Sequence, residues 1–124
     1  MGLDMYAFTA PKTAITAEVN FKLDGLPDVQ EIHYWRKHPN LHGWMEDRYI
    51  AKGGTALFNC EPVVLTEADL DDLERAIRSG ELPSTSGFFF GESDGSEFAD
   101  DLAFIAAARA AIAAGKAVIY DSWW

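Results

Sequence analysis

From Ile15 to Leu23 apolar and polar residues alternate strictly, with Ile15, Ala17, Val19, Phe21 and Leu23 set against Thr16, Glu18, Asn20 and Lys22. A period of two predicts a half-buried strand with one wet face. Residues 3–8 alternate too, Leu3, Met5 and Ala7 against Asp4, Tyr6 and Phe8, as in a strand partly covered on both faces. Pro11-Lys12-Thr13 turns the chain between the two. Asp24-Gly25 and then Pro27-Asp28 predict a hairpin connection into a third strand over residues 29–36. There Val29, His33 and Trp35 share one face, and Ile32, Tyr34 and Arg36 share the other.

The period then changes. A helix is expected from Pro39 or Asn40 to about Ala51, because proline suits a first helical position and Lys52-Gly53-Gly54 stops the run. Its apolar face is Leu41, Trp44, Met45 and Tyr49, while His42 and Glu46 sit four apart on another face, within reach of each other. Gly43 inside this helix costs about 1 kcal/mol relative to alanine, which points to a close backbone approach or an irregular helix. Residues 56–65 read as strand or loop. A second helix over 67–79 is capped by Thr66, stapled by Leu65 and Leu70, and faces the core with Leu70, Leu73 and Ile77. Asp71–Arg75 and Glu74–Arg78 are favourable pairs on its surface, and Gly80 ends it. After the apolar run Phe88–Phe90, read as a buried strand between turns, a third helix spans about 96–114. Its stripe is Phe98, Leu102, Ile105 and Ile112, and nine alanines keep it slim. Residues 116–121 form a last strand. Strands first, helices later and a closing strand predict one α+β domain, an antiparallel or mixed sheet with about three helices on one face.

Composition narrows the function classes. The 124 residues suit a single domain, and 48% hydrophobic with 13% aromatic residues fill a core. No apolar run approaches the roughly 20 residues of a membrane span. The opening MGLDMYAF carries neither a basic n-region nor a myristoylation motif, so neither a secretory signal nor a lipid anchor is expected. Cys60 is the lone cysteine, which excludes an intrachain disulfide and suits the cytoplasm. The net charge of −10 is carried entirely by residues 61–101, with twelve acids against Arg75 and Arg78. Such a chain is a poor direct binder of nucleic acid but can dock a basic protein surface.

Candidate chemistry crowds into residues 31–44, EIHYWRKHPNLHGW, which hold all three histidines and two of the four tryptophans. Arg36 and Lys37 beside Tyr34 and Trp35 suit a small anionic ligand, the cation holding its charge and a ring giving a stacking face. Trp44 offers a second ring, and His42 paired with Glu46 tunes hydrogen bonding. The Ser84-Thr85-Ser86-Gly87 loop adds Ser84 and Ser86 as donors to the same ligand site. His38, His42 and Glu46 have helical metal-ligand spacing, but Pro39 pushes His38 out of the helix, and no metal or cofactor is expected. His42 with Glu46 or Cys60 makes a small hydrolase or transferase a further alternative. Trp123 and Trp124 either close the core or form a homodimer contact.

Taken together, the opening Met1-Gly2-Leu3-Asp4-Met5-Tyr6, the Tyr34-Trp35-Arg36-Lys37 tetrad with His42 and Trp44, Asn59-Cys60, Ser86-Gly87-Phe88-Phe89-Phe90-Gly91 and Tyr120-Asp121-Ser122-Trp123 resemble a family of short bacterial and phage-encoded proteins. The chain departs from that family at His38-Pro39, where small or polar residues are usual. The resemblance implies no established activity. Some members carry the label phosphoglycerate kinase, a two-domain enzyme several times longer whose nucleotide site nothing in this sequence matches. The expectation is thus a cytoplasmic binding domain centred on Tyr34, Trp35, Arg36, His42 and Trp44. The alternatives are an acidic inhibitor docking through residues 61–101, or a small enzyme using His42.

Overall fold

The computed structural model describes residues 2–87 and 89–124. Among them, strands β1 (Asp4–Pro11), β2 (Gln30–Arg36), β3 (Val63–Leu65) and β4 (Lys116–Trp123) form one antiparallel sheet in the order β2-β1-β4-β3. Helices α1 (Pro39–Ala51), α2 (Glu67–Ser79) and α3 (Phe98–Ala113) complete an α+β domain. β1 and β4 pair along their whole length, from Asp4 opposite Trp123 to Pro11 opposite Lys116.

The helices cover one face of the sheet. Leu3, Met5, Ala7, Trp35, Val63, Leu65, Val118 and Tyr120 meet Leu41, Met45, Leu70, Leu73 and Phe104 in the main core. On the opposite face Ala10, Val64 and Ile119 are covered by Ile15, Phe21, Leu23, Leu26 and Val29. Here the strand expected over 15–23 is corrected. The segment has no strand ladder. It wraps the β3 edge, where Val64 N–H donates to the Glu18 carbonyl at 2.9 Å. Val19 turns into the main core while Ile15 and Phe21 lie on the other cluster, and Asn20 takes a left-handed φ of 61° that breaks extension. The expected hairpin at Asp24-Gly25 is a short 3-10 turn over Leu23–Gly25.

The helices fall close to their expected bounds. α2 spans 67–79 and carries a capping box between Thr66 and Asp69 and a left-handed Gly80 at its end. In α1, a Cβ on Gly43 would lie 1.9 Å from Thr85 Oγ1, so the glycine admits the 84–86 loop against the helix. α3 is rotated from its expected face. Phe98 is exposed, and the buried positions are Asp101, Phe104, Ile105 and Ala108, with Leu102 and Ile112 only partly covered. The buried strand expected over 88–90 falls partly on Phe88, outside the described residues. Phe89 is exposed with φ 63°, and Phe90 is buried. Among the described residues no helix is long and apolar enough to cross a membrane.

Candidate functional site

The pleat of β2 divides the aromatic cluster. Tyr34 and Arg36 lie on the outer face, where Asp4 accepts the Tyr34 hydroxyl at 2.5 Å and the Arg36 guanidinium at 2.7 Å. Those bonds, the tyrosine's first, hold the Asp4 carboxyl below its usual range. Tyr6 packs against Tyr34 with ring centroids 5.2 Å apart. Trp35 points the other way, into the core, and meets Phe104 edge-on at 4.8 Å. The pair expected to stack and charge-pair one ligand is therefore on opposite sides of the sheet.

His42 is buried among Phe58, Phe90 and Tyr120, its Nδ1 2.7 Å from the Tyr120 hydroxyl. Burial pulls its pKa down to about 4, so the ring is neutral at pH 7. Its partner is Tyr120 rather than the expected Glu46, with which it makes no hydrogen bond. Trp44 is buried on α1 with the Arg48 guanidinium 4.7 Å above its ring. Ser84 and Ser86 are exposed on the loop, while Thr85 between them docks on α1, its N–H donating to Asn40 Oδ1 at 3.0 Å.

A different set converges at the amino end of α1. His38 precedes Pro39 as the cap residue, yet its side chain makes no capping bond. Ser93 supplies the cap from the loop before α3, accepting the Asn40 N–H at 3.1 Å. His38 Nδ1 lies 2.6 Å from Ser93 Oγ, and Nε2 lies 2.8 Å from Asp101 Oδ2. The Trp35 indole N–H donates to Asp101 Oδ1 at 3.1 Å. Ser93, His38, Asp101 and Trp35 thus form one line of hydrogen bonds running from a surface cleft into the core. The cleft encloses about 240 Å³, lined by His38, Asn40, Ser93, Glu97 and Asp101 and by the apolar Ile77, Leu82 and Phe98. A wider cavity of about 390 Å³ between Ile15, Val64, Leu65 and Ile112 is also lined by Lys12 and Lys116 and by Thr66, whose hydroxyl is taken up by the α2 capping box.

Sequence reasoning set His38 aside and missed Ser93, Asn40 and Asp101. For Asp101 a signal existed. It stands three, four and seven residues before Phe104, Ile105 and Ala108, on the arc that faces the sheet, and a carboxylate there needs a partner. Nothing local marks Ser93.

The remaining candidates separate. Among the described residues no group of three or more His, Cys, Asp or Glu side chains is placed to hold a metal ion. The Cys60 thiol is pushed up by desolvation, with Asp121 adding to it, which makes it a poor nucleophile. Trp124 closes the core, its indole donating to the Phe58 carbonyl at 2.7 Å, whereas Trp123 is exposed. Much of the acidity of α2 is matched locally. Arg48 and Lys52 reach Asp69, Arg48 also reaches Asp72, and Arg109 of α3 reaches Asp71 and Glu74. Arg75 pairs with Asp72 rather than the expected Asp71, and Glu74–Arg78 forms as expected.

No protein-family model, curated protein or solved structure matches the chain.

Proposed function

We propose that the protein is a small-ligand-binding domain whose site is the cleft at the amino end of α1. One observation carries this reading. A cavity of about 240 Å³ brings the polar groups of Asn40, Ser93 and His38 together with the apolar side chains of Ile77, Leu82 and Phe98. A few convergent polar groups in a mainly apolar concavity are what small-molecule sites share. The proposal retains the binding role expected of residues 31–44 but moves its centre from Tyr34 and Arg36 to His38 and Asn40. With Asp101 and Glu97 in the wall and no lysine or arginine among the described lining residues, the cleft favours an uncharged ligand over the anion expected with Arg36. Membership of the bacterial and phage family and residence in the cytoplasm belong to the same proposal, supported by the five motifs and the single cysteine.

Thermal-shift titration with small amides, esters and alcohols tests it. A ligand that binds the native chain raises the midpoint. Leu82→Trp, which fills the cleft, is expected to abolish the rise, and Tyr34→Ala on the outer face to leave it intact. A rise lost in Tyr34→Ala and retained in Leu82→Trp would return the site to the outer face.

A further inference from the structure

We infer that Ser93 is a nucleophile activated by His38 and Asp101, and that the cleft hydrolyses small esters with a short apolar acyl group. The inference rests on the cleft being the binding site and gives that site its substrate class.

The placement of the hydrogen-bonding groups carries it. Two groups in the line can only donate, the Trp35 indole N–H at one end and the Asn40 backbone N–H at the other. Trp35 occupies Asp101 Oδ1, and the second oxygen, Oδ2, lies 2.8 Å from His38 Nε2, placed to take an Nε2–H. In the tautomer that carries its proton on Nε2, Nδ1 presents a lone pair 2.6 Å from Ser93 Oγ. Ser93 Oγ accepts from the Asn40 N–H, which leaves its own proton to be given to Nδ1 in that tautomer, while Glu97 Oε2 stands 4.0 Å from the same nitrogen. A serine hydroxyl donating to a neutral imidazole, itself oriented by a buried carboxylate, is the arrangement that general-base activation of serine requires. The relay crosses the ring in the sense opposite to the familiar serine proteases, with serine on Nδ1 and carboxylate on Nε2. Either nitrogen can take a proton while the other donates. A cap alone needs no ring behind it, since a serine at position 38 would cap α1 directly.

The surroundings suit acyl transfer. Thr85 N–H holds Asn40 Oδ1 at 3.0 Å, and the Nδ2 amide of Asn40, in the cleft wall, has no hydrogen bond of its own among the described residues. It is left to donate to a developing oxyanion, next to the positive end of α1. Ile77, Leu82 and Phe98 give the acyl chain an apolar seat. In the first half-reaction Ser93 Oγ bonds to the ester carbonyl carbon as its proton passes to His38 Nδ1. The C–O bond to the leaving alkoxide then breaks, and that oxygen takes the proton from Nδ1. In the second, water attacks the acyl-serine and gives a proton to Nδ1, which returns it to Ser93 Oγ as the acid departs. The net change is ester plus water to acid plus alcohol. Glu97 and Asp101 then repel the carboxylate product from the cleft.

The test uses p-nitrophenyl butyrate on the full chain, following p-nitrophenolate release and mapping any butyryl adduct by mass spectrometry after an acid quench. The expected result is a release burst with one butyryl group on Ser93. Ser93→Ala should lose the adduct, and His38→Gln should slow acylation by about 10²–10⁴-fold, the usual contribution of a general base. Should Ser93→Ala fail to fold by circular dichroism, Ser93→Cys keeps the shape and should carry the acyl group on its new thiol. Acylation elsewhere, or release at equal rates in wild type and the Ser93 variants, overturns the inference. Butyramide, which resists hydrolysis, separates the two proposals. Thermal stabilisation by butyramide without acylation removes the esterase and leaves the binding cleft, whereas neither response removes both.

Discussion

The indole N–H of Trp35 meets Asp101 Oδ1 at 3.1 Å inside the core, tying the edge strand β2 to α3. A buried carboxylate oxygen that loses its donor retains its desolvation penalty. Trp35→Phe, which keeps an aromatic ring against Phe104, is therefore expected to destabilise the fold by about 1–3 kcal/mol in urea unfolding. A variant within about 0.5 kcal/mol of wild type, the usual range for surface substitutions, would remove this bond from the account of how α3 is oriented.

His42 sets an acid limit. The free imidazole takes a proton near 6.5, whereas in the fold it does so only near pH 4. Between those values the unfolded chain binds a proton that the native chain refuses. The stability linked to His42 is thus complete above pH 6.5 and is lost as the pH falls toward 4. His42→Gln, able to hydrogen-bond Tyr120, should remove this dependence. Its stability relative to wild type should improve by about 3 kcal/mol between pH 7 and pH 4, the linkage value of the shift. Denaturant midpoints across pH measure the difference, and a constant offset would show that the ring titrates normally.

Asp121 acts in the opposite sense. Burial raises its carboxyl from 3.8 to about 6. The native chain binds the extra proton between those values, so the associated stability is present below pH 3.8 and is lost as the pH rises through 6. Asp121→Asn should stabilise the protein at pH 8 by about 1 kcal/mol, a figure reduced for the side chain's partial contact with water. The gain should vanish near pH 4. Calorimetric midpoints at the two pH values decide it, and an equal effect at both would exclude the carboxylate as the cause.

Gly43 and Thr85 should prove coupled. Alanine normally improves a helix interior by about 1 kcal/mol over glycine. Here its Cβ would meet Thr85 Oγ1 at 1.9 Å. Gly43→Ala is expected to cost about 1–3 kcal/mol, as overpacking does. Adding Thr85→Gly should recover much of that loss, and a double-mutant cycle reads the coupling. Strict additivity would mean that the loop yields freely.

Legibility in the sequence followed whether the information was local. α2 could be read from its cap, staple and glycine stop, all within a few residues of one another. The alternation of 15–23 carried the wrong inference because one edge strand, β3, offers apolar surface on both sides, and a chain wrapping it also alternates. Residues 31–44 supply His38 and Asn40 to the proposed cleft, but the strand pleat sends Trp35 and Arg36 to opposite faces, which the spacing itself implied. What remained hidden depends on distant segments. Ser93 reaches His38 across 55 positions, and Tyr120 reaches His42 across 78. No local pattern announces such partners. Only the presence of Asp101 on a buried arc hinted that one was needed.

The longest ladder in the molecule joins β1 to β4, strands separated by more than a hundred residues. Closing so large a loop costs entropy before any of its hydrogen bonds form, and such non-local pairing slows folding. On the ribosome, β1 must wait with one edge unsatisfied until β4 has emerged, while α2, with its local cap and stop, can form early. The centre of the sheet is therefore the last part of this chain able to assemble during synthesis, and its exposed edge is the place where a nascent chain most needs protection from pairing with another.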